Sequence, residues 1–409
     1  TDTLTFKTAN TNGGLSFIPQ LSNIEVIQIT ASDADATASD DVVTVQLSGI
    51  SGITKVANIA SAEDVTFSSL GNLVDVELKS ANHTTTVNFT DAALAGASDS
   101  ITVTLKGTTG NTDLVLSDAG VATNSLETVN LVSQSVANTL SAHDFSGVST
   151  ATINISGDKL LTITDELDSS VTTVDASAAT GGVTLTAGPG IGTFTYTGGS
   201  GADTITTLAN AGNANISGGG GNDSVDFEAT WNGLDTYDGG DGTDTLTFSG
   251  TLTNEGASSS VFGGLSNVEK IKMQSANDAI TLSSNISATT FDVSANNANT
   301  VTLNDGYTNA TTVHLGYANA STDTIANNAN VALTLTGGTS MVTGALNVTG
   351  SAGSSDTVSV LNLGGTMTFD ANNDVFENIT ISDYTAGADP TLDLGNHGYA
   401  LGAGKTVTI

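Results

Sequence analysis

Gly198-Gly-Ser-Gly-Ala-Asp-Thr-Ile-Thr206, Gly218-Gly-Gly-Gly-Asn-Asp-Ser-Val-Asp226 and Gly239-Gly-Asp-Gly-Thr-Asp-Thr-Leu-Thr247 are three versions of one nonapeptide, G-G-x-G-x-D-x-U-x, with U a large apolar residue. The shared Asp falls at 203, 223 and 244, at spacings of 20 and 21 residues. Glycines let the backbone bend through conformations closed to other residues. After each Asp, the alternation Thr-Ile-Thr, Ser-Val-Asp or Thr-Leu-Thr turns one apolar side chain inward and leaves its neighbours outside. Each nonapeptide therefore reads as a tight turn followed by a short strand. The intervening segments, Gly192 to Thr197, Ala214 to Ser217 and Asp235 to Asp238, read as strands entering the next turn. A period near 20 makes each repeat one coil of two half-coils, with the glycine turns along one edge of a flattened solenoid.

Such turns leave carbonyl oxygens pointing into the bend, next to one carboxylate. Calcium takes roughly six to eight oxygen ligands, at ~2.3–2.6 Å. One turn supplies about half of these, so an ion fits best between two stacked turns. The candidate metal ligands are Gly198, Ser200, Ala202 and Asp203 in the first turn, and Gly218, Gly220, Asn222 and Asp223 in the second. Gly239, Asp241, Thr243 and Asp244 form the third set.

At these residues the chain resembles the RTX proteins, secreted bacterial proteins whose repeats form a calcium-dependent parallel β-roll. The resemblance implies several calcium ions as cofactors and an RTX β-roll over residues 191–250. The long Thr-, Ser-, Ala-, Asn- and Gly-rich composition also resembles the surface-layer (S-layer) proteins of Gram-negative bacteria that carry such repeats. That resemblance implies a calcium-dependent solenoid that assembles with itself into a lattice outside the cell, exported by a type I secretion route. A large RTX adhesin, or a non-catalytic passenger of a secreted enzyme, is the alternative it leaves open.

Charge supports the same expectation. The chain carries 42 Asp and Glu against 8 basic residues, all Lys, for a net charge of -34. That excludes the basic footprint nucleic acid needs, and it disfavours direct contact with an anionic membrane. The mutual repulsion would be relieved by divalent cations. There is no cysteine, so disulfides are excluded and calcium is the available staple for an extracellular chain. No apolar run approaches the ~20 residues of a membrane span. The expected partners are copies of the chain itself, with cell-surface polysaccharide as a candidate anchor.

A longer repeat links distant parts. Thr1-Asp-Thr-Leu-Thr-Phe6 recurs as Thr243-Asp-Thr-Leu-Thr-Phe248, and Leu21-Ser-Asn-Ile-Glu-Val-Ile-Gln-Ile29 parallels Leu265-Ser-Asn-Val-Glu-Lys-Ile-Lys-Met273, at offsets of 242 and 244. This places Asp2 as the carboxylate of a turn whose glycines would lie upstream, and so leads us to expect that the native polypeptide extends in that direction.

Elsewhere short β-branched runs continue the rhythm. They include Asp41 to Val45, Asp99 to Val103 and Ala151 to Ile155, then Ala279 to Leu282, Thr290 to Val293 and Thr366 to Phe369. The expected fold is thus all-β: an elongated parallel β-solenoid or β-helix with a calcium-binding RTX segment. Residues 1–190 form a β-rich solenoid-like region in which a sandwich is also compatible, and 251–409 a β-solenoid or β-helix region. Asp91 to Ala95 is the one candidate short helix, and Gly350 to Asp356 a glycine turn with one residue inserted.

Chemistry beyond calcium is thin. H-E-x-x-H, G-x-S-x-G and P-loop patterns are absent, and His83, His143, His314 and His397 stand far apart without ligand spacing. No catalytic residue is assigned and the chain reads as a non-enzyme. The single Trp231, beside the glycine turns, reads as a core seal rather than a sugar platform.

Overall fold

In a computed structural model the chain folds as a parallel β-solenoid. The structure describes residues 1–10, 14–33, 41–120, 124–208, 212–228, 231–250, 261–274, 279–282, 286–293 and 300–303, and beyond them Tyr307, Asn309 and the later strands. It divides into two compact units, Thr1–Gly221 and Asn222–Ile409, with the division inside the middle glycine turn. Among the described residues there is no α-helix, only two short 3-10 turns.

In the first unit, one parallel sheet takes a strand from every coil, running from Thr3–Asn10 through Val26–Asp33, Lys55–Ile59 and Asp75–Lys79 to Thr193–Thr197 and Asn213–Ser217. The opposite side is built in two stretches. Leu15–Phe17 to Ala142–Asp144 form one sheet, and Asn138–Leu140 to Thr204–Thr207 another. Among the described residues of this unit the paired strands run parallel, and partners lie one coil apart in sequence. A Greek-key sandwich needs antiparallel pairs, so the first half is a solenoid.

Asn138 sits where the second side changes sheets. It is 1% exposed, and its amide uses both ends. Oδ1 accepts from the Gly107 and Thr108 amides at 2.6 and 3.0 Å, while Nδ2 donates to Ser133 Oγ and to the Gln134 and Val136 carbonyls. A buried amide satisfied this fully fixes the corner rather than straining it.

The core follows from period-two alternation. Strand Thr84–Phe89 buries Thr85, Val87 and Phe89 and leaves their neighbours at the surface. Parallel in-register stacking turns such positions into columns. One runs Ile101, Val129, Ile153, Val174, Tyr196 and Ile216, all facing inward. This column carries Tyr196 to the coil that enters the first glycine turn. On the outer side Asn154 donates to Asn130 at 2.8 Å, a short amide ladder between coils.

In the second unit, Ser224–Asp226, Thr245–Phe248, Lys270–Met273, Thr290–Val293 and Thr311–Leu315 open a parallel sheet that continues to Thr406–Thr408. Ala279–Leu282 to Thr391–Asp393 form a second one. The expected strands at Ala279–Leu282, Thr290–Val293 and Thr366–Phe369 are found with those bounds. Trp231 is 2% exposed, stacked on Phe262 with ring centroids 5.8 Å apart and set edge-on to Phe227 at 4.7 Å, so it seals the core.

Asp91 to Ala95 forms turns, with the Ala93 amide bonded to the Thr90 carbonyl, rather than a helix. Five residues between strands are too few to repay helix nucleation. The inserted glycine turn at Gly350 to Asp356 lies, apart from its first residue, outside the described residues.

Candidate metal centre

Each glycine turn connects a strand of one sheet to a strand of the other, and the three share one burial pattern. The first glycine and the Asp are buried: Gly198 and Asp203, Gly218 and Asp223, Gly239 and Asp244. Ser200, Ala202, Asn222, Asp241 and Thr243 are exposed, and Gly220 is half-buried. Gly219, Gly221, Gly240 and Gly242 hold φ of +91°, +120°, +94° and +151°, which explains the glycines at the second and fourth motif positions.

The first motif glycine is needed for another reason. A methyl group at Gly198 would collide with the Gly218 carbonyl oxygen and stand 2.5 Å from Asp203 Oδ2. At Gly239 it would collide with the Asn267 carbonyl oxygen and stand 2.6 Å from Asp244 Oδ2. In both turns a carbonyl from the following coil and a carboxylate oxygen from the turn itself converge over one glycine Cα.

The carboxylates are held rigidly. Asp203 Oδ1 accepts from the Val183 amide at 2.8 Å, and Oδ2 from the Tyr196 hydroxyl at 2.8 Å. Asp244 Oδ1 accepts from the Asp223 amide at 2.7 Å, while Asp244 Oδ2 is buried with no hydrogen-bond partner. Burial pushes the Asp203 carboxyl above its ordinary value, against the Tyr196 hydroxyl and the Val183 and Gly199 amides. Burial also raises Asp244; the Asp223 amide opposes it, and the charges of Glu269 and Asp238 add to it. In both, burial disfavours the ionised form, which a nearby positive charge would favour.

Carboxylate and carbonyl oxygens are hard ligands suited to calcium rather than to a soft metal. Among the described residues no three His, Asp or Glu side chains gather as a metal cluster. Any ion here would rest chiefly on main-chain carbonyls with one carboxylate per turn. The residues fit calcium on that basis. Some candidate ligands are already engaged: Asn222 Oδ1 accepts from the Thr243 amide at 2.9 Å, and the Ala202 carbonyl packs against Gly182 of the preceding coil.

Sequence reading missed three participants. Tyr196 stands two residues ahead of the first turn, as Tyr237 does ahead of the third, and that shared spacing was a usable signal. Glu269 accepts from the Asp244 amide at 2.8 Å. Asn267 brings its carbonyl over Gly239 in a left-handed conformation, with φ of 50°. Both belong to the Leu-Ser-Asn-x-Glu repeat, which marked them as special without indicating a role.

Away from the turns, His143 is buried beside Asp144, Asp165 and Asp168, with Nε2 accepting from the Asp168 amide at 3.4 Å. Burial pushes its imidazole down, and the charges of Asp168, Asp165 and Asp144 oppose this. No helix among the described residues is long and apolar enough to cross a membrane. Comparison with known protein families, with curated proteins and with solved structures returns no match.

Proposed function

We propose that the chain is a structural, calcium-dependent protein of the bacterial cell surface, which assembles with copies of itself as S-layer proteins do. The observation that carries this reading is the convergence of a carbonyl and a buried carboxylate over Gly198, reproduced over Gly239. A buried carboxylate with a raised pKa is costly when ionised and becomes favourable once a divalent ion binds it. Millimolar calcium outside a cell would fill such seats, whereas the low calcium of a cytosol would leave them empty. The chain would then stay pliable before export and stiffen after it.

Charge extends the argument to assembly. Two bodies of net charge -34 repel one another at close range, and salt screens only beyond roughly 8–10 Å. Edge-to-edge contact therefore needs cations held locally by surface carboxylates. Electron microscopy of the purified chain should show ordered sheets or strings in millimolar calcium and dispersed particles in chelator. A monodisperse monomer at high protein concentration in several millimolar calcium contradicts the lattice and shifts the reading to an adhesin or a passenger region.

A further inference from the structure

The third glycine turn is the last of its run, and the coil that follows it carries no glycine motif. The coil stacked next to it supplies Leu265-Ser-Asn-Val-Glu269 instead. The Asn267 carbonyl occupies over Gly239 the place that the Gly218 carbonyl occupies over Gly198. Asn267 reaches it with φ of 50°, one of the few non-glycine residues in the left-handed region, and its Nδ2 is tied to Asp238 Oδ1 at 2.7 Å. Glu269 takes over the amide cap. Its Oε2 receives the Asp244 amide as Asp244 Oδ1 receives that of Asp223. Only one residue separates Asn267 from Glu269, against four between Gly239 and Asp244, and the extra methylene of Glu restores the reach that the shorter turn loses. Asp244 Oδ2 lies in this arrangement fully buried and without a hydrogen-bond donor.

We propose that Leu265–Glu269 closes the third glycine turn into a further cation seat, in which Asp244 Oδ2, the Asn267 carbonyl and the Glu269 carboxylate receive a hard divalent cation such as calcium. The ligand class follows from an all-oxygen donor set with two carboxylates. The proposal rests on the calcium reading of the glycine turns and adds a seat that the motif does not specify. It also gives Asp244 a place between two coils that each contribute ligands.

The test is calorimetric titration of the full chain with calcium, using Glu269→Gln, which keeps an oxygen for the Asp244 amide and removes the charge. Glu127→Gln is the control, because Glu127 caps the Asp99 amide in the same way at 2.6 Å but no G-G-x-G turn leads into Asp99. Loss of one ion, or a tenfold or greater weakening of one class of sites, in Glu269→Gln and not in Glu127→Gln is the expected result. Calcium binding that is identical in wild type and Glu269→Gln overturns this seat and leaves the glycine turns standing; no binding by the wild type overturns both. Should Glu269→Gln fail to fold, anomalous diffraction from lanthanide-soaked wild-type crystals decides the matter. A peak between Gly239 and Asn267 supports the seat, and peaks at the glycine turns with none there refute it.

Discussion

Residues 1–29 and 243–273 are two copies of one sequence in two different surroundings. Their registers coincide: Thr3 to Phe6 pair with Val26 to Ile29, and Thr245 to Phe248 with Lys270 to Met273. The details coincide as well. Asn23 and Asn267 are both left-handed, at φ of 58° and 50°, and Glu25 and Glu269 cap the Asp2 and Asp244 amides. Burial is where they part. Leu246 and Phe248 are wholly buried, with Ser224–Asp226 paired on their other side, whereas Leu4 and Phe6 are half-buried. Local sequence sets the turn, the cap and the register, while the neighbouring coil sets how much apolar surface leaves water.

The largest expected effect separates the copies by packing. Leu246→Ala should cost about 2–5 kcal/mol, as for a fully buried leucine. Leu4→Ala should cost roughly 1 kcal/mol or less, because part of its surface already meets water. Denaturant unfolding followed by Trp231 fluorescence reads the second unit, and hydrogen exchange at residues 26–33 reads the first. Equal losses would mean that Leu4 is covered in solution as fully as Leu246.

Removing the acid cap should matter less. Glu269→Ala leaves the amide of a buried Asp without its acceptor, a loss of about 1–3 kcal/mol, whereas Glu25→Ala exposes an already exposed amide to water and should cost a few tenths. Both are to be measured in chelator, which removes any bound ion from the comparison.

pH gives a third contrast, with a definite sign. The folded-state pKa of Asp244 is raised, so its contribution to stability is full below the unfolded value, near 3.8, and is lost as pH rises through the folded one. In chelator, the third turn should therefore gain protection from hydrogen exchange as pH falls through the carboxylate range. In calcium the order reverses, because protonation expels the ion. A fall in protection on acidification in both media would show that Asp244 is stabilised by something other than a cation. The smallest effect is at the left-handed asparagines. Asn23→Gly should be neutral or stabilising by a few tenths of a kcal/mol, while Asn267→Gly also loses its bond to Asp238 and should be mildly destabilising, by about 0.5–1 kcal/mol.

Much of this was legible in the sequence. Alternation at Thr290–Val293 or Thr366–Phe369 gave strands with the observed bounds, because a period of two is that of an extended chain. The glycine turns were legible because left-handed φ and close backbone approach admit no other residue. Lys55–Ile59 and Thr173–Ala179 were not foreseen: a lysine and an asparagine among apolar residues, or an alanine-rich run, resemble neither strand nor helix until stacked neighbours decide. The Lys55 ammonium is explained only by Glu77 on the next coil, 2.8 Å away, which also receives Lys106. Similarly, the partners of Asp203 and Asp244 lie about a coil away or across the turn, at Val183, Tyr196 and Glu269, and pairwise contacts of that kind leave no pattern in a single sequence.

The central claim is that the glycine turns are built around a divalent cation. Hydrogen exchange of the full chain, read at residues 198–208 and 239–248 in millimolar calcium and again in chelator, tests it most directly. The account predicts strong protection of both segments in calcium and its loss in chelator, with strands 100–106 and 128–134 equally protected in both. Protection of the two glycine turns that is the same with and without calcium would contradict it.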